Sequence, residues 1–195
     1  MSRQVRIAPL EPPYQPDIER FLAKWMPPGS AVAPLALFRT LAVHDELAAR
    51  MRPLGAGILG SRIVAPQTRE VLIARTCALC HAEYEWGVHA VAFGKPLGLT
   101  DEQLLSTVHG GPEDACWNVQ QCNIIRLADE LHHTSTISDQ LFHDLSADFD
   151  DKQILELTAT AGWYHTVAYI IGVAGVAAEP WAARFPAIDA RQDNA

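Results

Sequence analysis

Residues 157–178 (LTATAGWYHTVAYIIGVAGVAA) run for 22 positions without an Asp, Glu, Lys or Arg. An uncharged stretch of that length meets the length criterion for a membrane span, and the alternative is a helix shielded by other protein. Its content argues for the second. Three threonines, a histidine and three glycines interrupt it, and Asp150, Asp151 and Lys152 before it and Glu179-Pro180 after it provide no basic anchors at its ends. The expectation is a helix buried on all sides, or at a subunit interface, with Asp150 and Gln153 as its capping box. No alternating strand pattern and no hairpin dipeptide between apolar runs occurs in the rest of the chain. The fold class is therefore all-α, with about seven or eight helices.

The 195 residues suit one domain able to bury a core. Residues 1–34 read as an N-terminal arm with a short helix, 35–180 as the helical domain, and 181–195 as a polar C-terminal tail whose last dozen residues are expected to be mobile. Pro9, Pro12, Pro13 and Pro16 keep the arm extended. Residues 17–25 form an amphipathic helix that Pro27-Pro28-Gly29-Ser30 ends. Helical spacing follows over 35–41 and 44–54, after which Gly55, Gly57 and Gly60 loosen the chain. Pro66 fits the first turn of a helix. Carried unbroken to Phe93 that helix is long for this chain, so a break is expected near Cys80 to Ala82, with Gly94-Lys95-Pro96 closing the second piece. Thr100 to Gln103 matches a capping box, and Gly110-Gly111-Pro112 a loop. Further helices are expected from Cys116 to about His133 and from Ser138 to Leu145.

A net charge of −8 argues against a nucleic-acid surface, which needs basic patches. The first residues, MSRQVRIAPLEPP, hold no apolar leader. The four cysteines at 77, 80, 116 and 122 then read as thiols of a cytoplasmic protein rather than a disulfide framework. Neither a nucleic acid nor a membrane is an expected partner.

Reactive side chains concentrate in Cys77 to His89 (CALCHAEYEWGVH). On a continuous helix Cys77, His81, Glu85 and His89 fall on one drifting stripe. Cys77 and Cys80 are spaced as a dithiol, with His81 as a base, although two packed thiols satisfy the same spacing. C-x-x-C-H is also a c-type haem pattern, which lacks its compartment here. Cys77, Cys80, His81, Glu85 and His89 include zinc-type ligands, but no second ligand pair follows at a recognisable spacing, so neither metal nor cofactor is assigned. Glu85 and His89, one turn apart, suit proton transfer near neutral pH, or form an ordinary helical pair. Tyr84 and Trp86 are positioned to wall such a site. His132, His133 and His165 read as structural: the first two complement a helix C-terminus, and the third is a buried, hydrogen-bonded imidazole. Cys116 and Cys122 read as core.

The run REVLIARTCALCHAEYEWGVHAVAFGKPLGLTDEQL, from Arg69 to Leu104, resembles the carboxymuconolactone decarboxylase and alkylhydroperoxidase D-like superfamily. ADELHHTSTISDQLFHDL and DDKQILELTATAGWYHTVAY resemble its longer members, so the likeness extends over about residues 35–178. The peroxidase pattern is a Glu, eleven residues, then C-x-x-C-x-x-x-H. With the final His on His89 it places the glutamate on Glu70 and the two cysteines on Ala82 and Glu85, five positions after Cys77 and Cys80. The resemblance implies an intertwined helical fold and a homo-oligomer, as a trimer or hexamer or possibly a dimer. It implies a pocket with Glu70, Glu85 and His89 as catalytic groups, lined by Tyr84, Trp86 and Ala82, and no obligatory cofactor. The implied activity is decarboxylase-like acid–base chemistry on a small organic acid, lactone or related carbonyl compound. The rivals are a thiol peroxidase using Cys77 and Cys80 with His81, and a non-catalytic helical binding protein.

Overall fold

Helix boundaries in this chain are set by local chemistry. A computed structural model describes residues 4–26 and 32–187. Helix α1 (Pro16–Trp25) starts on a proline, and α2 (Ala36–Leu41) passes through a single 3-10 turn at Ala42–His44 into α3 (Asp45–Gly60). The central pair is α4 (Pro66–Leu79) and α5 (Glu83–His89), the latter continuing as a π-helical turn over Ala90–Gly94. Then come α6 (Asp101–His109), α7 (Val119–Thr134), α8 (Asp139–Ser146) and α9 (Asp151–Ala174). Reciprocal capping boxes Thr100/Gln103, Asn118/Gln121 and Asp150/Gln153 satisfy the first backbone donors of α6, α7 and α9. The described residues contain no strand, and no helix among them is long and apolar enough to cross a membrane.

The organising element is α4, whose residues Thr68 to Ala74 and Thr76 to Ala78 are all buried. It packs against α5, α6, α7 and α9, so polar groups on it are carried into the interior whichever way they face. Arg75 is neutralised by Asp129 of α7 (Nε–Oδ1 2.6 Å) and donates through Nη1 to the Thr107 and Gly110 carbonyls at the end of α6. These bonds tie three helices at one point. The expected break occurs at Cys80 to Ala82, where His81 takes φ 52. It rotates α5 relative to α4, so Cys77, His81, Glu85 and His89 do not form one stripe.

Several expectations are corrected. Gly55, Gly57 and Gly60 do not loosen the chain, because α3 runs through all three and through Pro53. Tertiary packing overrides the intrinsic cost of glycine in a helix, about 1 kcal/mol. A Cβ on Gly55 would stand 2.7 Å from the Trp163 ring, so the bare backbone is what lets α3 approach α9. Helix α9 is not buried on all sides. Ile154, Leu157, Ala161, Tyr164, Ala168 and Ile171 face inward, while Leu155, Tyr169 and Val173 are 70%, 63% and 61% exposed. The first helical residue of α7 is Val119 rather than Cys116, because Asn118 is the better cap, and Cys116 and Cys122 are half-buried rather than core. The arm is tied to the helical domain, with Arg6 and Ile7 donating to the Ala174 carbonyl and Leu10 to that of Arg39. Residues 181–187, expected in the polar tail, lie along α5: Ala183 donates to the Gly87 carbonyl, and the Phe185 ring meets Trp86. The end signal at Pro27 to Ser30 and the tail beyond 187 lie outside the described residues.

Candidate functional site

Glu70 enters the core because α4 is surrounded, and His89 because it closes α5 where that helix turns back beside α4. Their relative exposures are 1% and 4%. The His89 Nδ1–H donates to Glu70 Oε2 at 2.7 Å. On the other edge of the ring, Nε2 is 3.1 Å from the Tyr164 hydroxyl and 3.5 Å from Glu85 Oε1. The ring is further held edge-on by Tyr164 and flanked by Phe93, each with centroids 5.0 Å away. Burial alone depresses the His89 pKa, but the charge and hydrogen bond of Glu70 and then those of Glu85 overcome it, and the net pKa is raised to about 10. At neutral pH His89 is therefore an imidazolium, with both ring N–H groups donating. Burial, reinforced by the charges of Glu85 and Glu70, pushes the Tyr164 phenol well above its ordinary range, so it stays protonated.

This cluster forms one wall of a cavity of about 410 Å³. Glu85, His89 and Tyr164 reach its surface; Glu70 stands behind His89. Most of the lining is apolar, including Phe38, Leu41, Phe93 and Trp163, while Lys24 and Arg52 add positive charge to that of His89. The π-helical turn immediately after His89 is the kind of local irregularity that often marks functional sites.

Three expected lining residues lie elsewhere. The Tyr84 hydroxyl donates to Glu179 Oε1 at 2.7 Å and accepts from the Leu37 backbone, joining α2 to the C-terminal segment. Trp86 donates to Thr107 Oγ1 at 3.0 Å within the main core, where Ala82 is also packed. Neither of these three side chains nor Cys77 borders the cavity. The cause is the register of the short α5 helix: Glu85, Val88 and His89 take the cavity face, leaving Tyr84 and Trp86 to flank it.

The two cysteines of the C-x-x-C pair diverge in environment. Cys77 is fully buried, and burial followed by the charge of Glu85, the Cys80 sulfur and Glu70 pushes its thiol well up. A peroxidatic cysteine needs the reverse, a depressed pKa and access. Cys80 is half-buried at the C-terminal cap of α4, where the helix dipole does not favour a thiolate, and its thiol is also pushed up by burial. Its Sγ is 3.9 Å from His132 Nδ1. His81 is exposed at the break. Tyr164 was not anticipated at the site. Its signal was a hydroxyl inside the stripe Leu157, Ala161, Tyr164, Ala168, Ile171, where a buried phenol needs a partner.

No protein-family model matches the chain, and no curated protein shows significant sequence similarity to it. Solved structures do share its architecture. The debrominase Bmp8 superposes with a TM-score of 0.75 at 11% identity, over 93% of this chain and 95% of that one, in a variant bound to 2,3,4-tribromopyrrole. Its apo form gives 0.71 at 10% identity, over 91% and 94% of the two chains. ATU0492 from Agrobacterium tumefaciens, a protein of unknown function whose description likens it to the antioxidant defence protein AhpD, gives 0.66 at 15% identity, over 71% of this chain and 94% of its own. The chain has the AhpD-like helical fold.

Proposed function

We propose that this protein is an acid–base enzyme of the carboxymuconolactone decarboxylase type, moving a proton on a small organic acid, lactone or related carbonyl compound. The observation that supports it most is the edge formed by Glu85, His89 and Tyr164 on the cavity, backed by the 2.7 Å contact from Glu70. Glu70 is a positioning residue: it fixes the ring orientation and keeps His89 charged. The imidazolium stabilises negative charge developing on a substrate carbonyl oxygen, and Glu85 removes or returns the proton on the neighbouring carbon. The Tyr164 phenol holds the same edge of the ring. Lys24 and Arg52 provide a counter-charge for a substrate carboxylate, while the apolar walls suit a ring or short chain. That Bmp8 holds a small planar ring on this fold agrees with such a substrate class.

The test is a panel of lactones and keto acids followed by NMR in heavy water, scoring solvent-proton exchange and turnover. His89→Ala is expected to abolish both, at least about a hundredfold, while Cys77→Ser leaves them unchanged. Activity retained in the histidine variant removes the proposal. In parallel, reduced protein treated with a hydroperoxide is expected to keep all its titratable thiols; the loss of two per chain would favour thiol chemistry instead.

A further inference from the structure

Away from the cavity, three potential metal ligands from three core helices converge. Cys80 caps α4, His132 lies in the last turn of α7, and His165 lies midway along α9. Their Sγ, Nδ1 and Nε2 atoms all fall within 4.8 Å of one another. His132 Nδ1 is 3.0 Å from His165 Nε2 and 3.9 Å from Cys80 Sγ. All three side chains are half-buried, leaving water a way in. We propose that Cys80, His132 and His165 form a zinc site, with water in the fourth position.

Two of the three ligand separations lie near those of a tetrahedral ion. Zn–N bonds of about 2.05 Å and a Zn–S bond of about 2.3 Å require ligand separations of about 3.3 Å between nitrogens and about 3.6 Å between nitrogen and sulfur. The observed 3.0 and 3.9 Å are each about 0.3 Å from those values. The tautomer is set as a metal needs it. His165 Nδ1–H donates to the Ala161 carbonyl at 2.9 Å, so its Nε2 lone pair faces the other two ligands. This is the outer hydrogen bond that orients histidine ligands in metal sites. Among the described residues no carboxylate belongs to the cluster, and thiolate with two imidazoles is a zinc-type donor set. Binding exchanges the Cys80 proton for the ion: the S–H bond breaks, an S–Zn bond forms, one proton leaves to solvent, and no oxidation state changes.

Without metal, His132 Nδ1–H would donate to His165 Nε2 and the thiol would stay protonated. The two states are separable on the full chain, freed of any histidine tag and stripped with chelator. Titration with Co(II) is expected to saturate at about one ion per chain with a thiolate-to-cobalt charge-transfer band and tetrahedral d–d bands, and equimolar Zn(II) is expected to erase both. Cys80→Ser should lose the charge-transfer band, and His165→Gln should weaken binding at least about tenfold; Cys122→Ser should change neither. Should Cys80→Ser not fold, as judged by circular dichroism, protection of Cys80 from alkylation by Zn(II) in the native chain takes its place. Absence of a thiolate band, unchanged binding by Cys80→Ser, no such protection, or a site that takes copper but neither cobalt nor zinc overturns the proposal.

Discussion

Replacing Glu70 with Gln keeps the side-chain shape at a fully enclosed position and removes one charge. In the native protein the pKa of His89 rises from 6.5 to about 10 despite its burial. At about 1.4 kcal/mol per pH unit, that rise links on the order of 5 kcal/mol of folding stability to protonation of one imidazole. The sign follows from the folded state holding the proton more tightly than the unfolded chain. The contribution is complete below pH 6.5 and is lost as pH climbs through about 10. Glu70 makes the shorter of the two carboxylate contacts, 2.7 against 3.5 Å, so its charge carries the larger share. In Glu70→Gln, His89 should give up its proton at least about a hundredfold more easily, and stability near pH 7 should fall by about 3–5 kcal/mol, the usual result of leaving a buried charge with one partner removed. Urea unfolding from about pH 6 to about pH 10 should show a steep decline in the native protein and a much flatter one in the variant, with His89 ring NMR reporting the pKa directly. An identical decline in both proteins, or a native His89 that is neutral at pH 7, refutes the reasoning.

Two further outcomes test the packing. In Gly87→Ala a Cβ would stand 2.0 Å from the Ala183 carbonyl oxygen, so residues 181–187 must lift from α5; a loss of about 1–3 kcal/mol and faster proteolytic trimming of the C-terminus are expected. The exposed apolar face of α9 supports a homo-oligomer; light scattering should give a multiple of 21.4 kDa for the native chain and a smaller particle for the double variant Leu155→Glu, Tyr169→Glu.

Local signals were sufficient for much of this molecule. The capping residues Thr100 and Asp150 and the proline opening at Pro66 marked helix starts correctly, because each acts on backbone donors within one turn. The break at Cys80 to Ala82 was legible from length alone. Glycine was misread at Gly55, Gly57 and Gly60, because intrinsic propensity is a small term beside the packing of α3 on α9. Within one chain α9 is covered on one side only, because absence of charge shows that a helix tolerates burial on every side, not that a single chain supplies neighbours for every side.

The candidate site divides in the same way. The sequence by itself determined the all-α class and marked Glu70, Glu85 and His89, since a family register and an i,i+4 spacing are both one-dimensional properties. It did not determine which carboxylate grips the imidazole, that Tyr164 joins from 75 residues away, or that Cys80 leaves Cys77 to meet His132 and His165. Those pairings depend on how α4, α5, α7 and α9 rotate about their axes as they pack. That rotation is fixed by side-chain volumes and by the turn at His81, and it is decided only when the core closes.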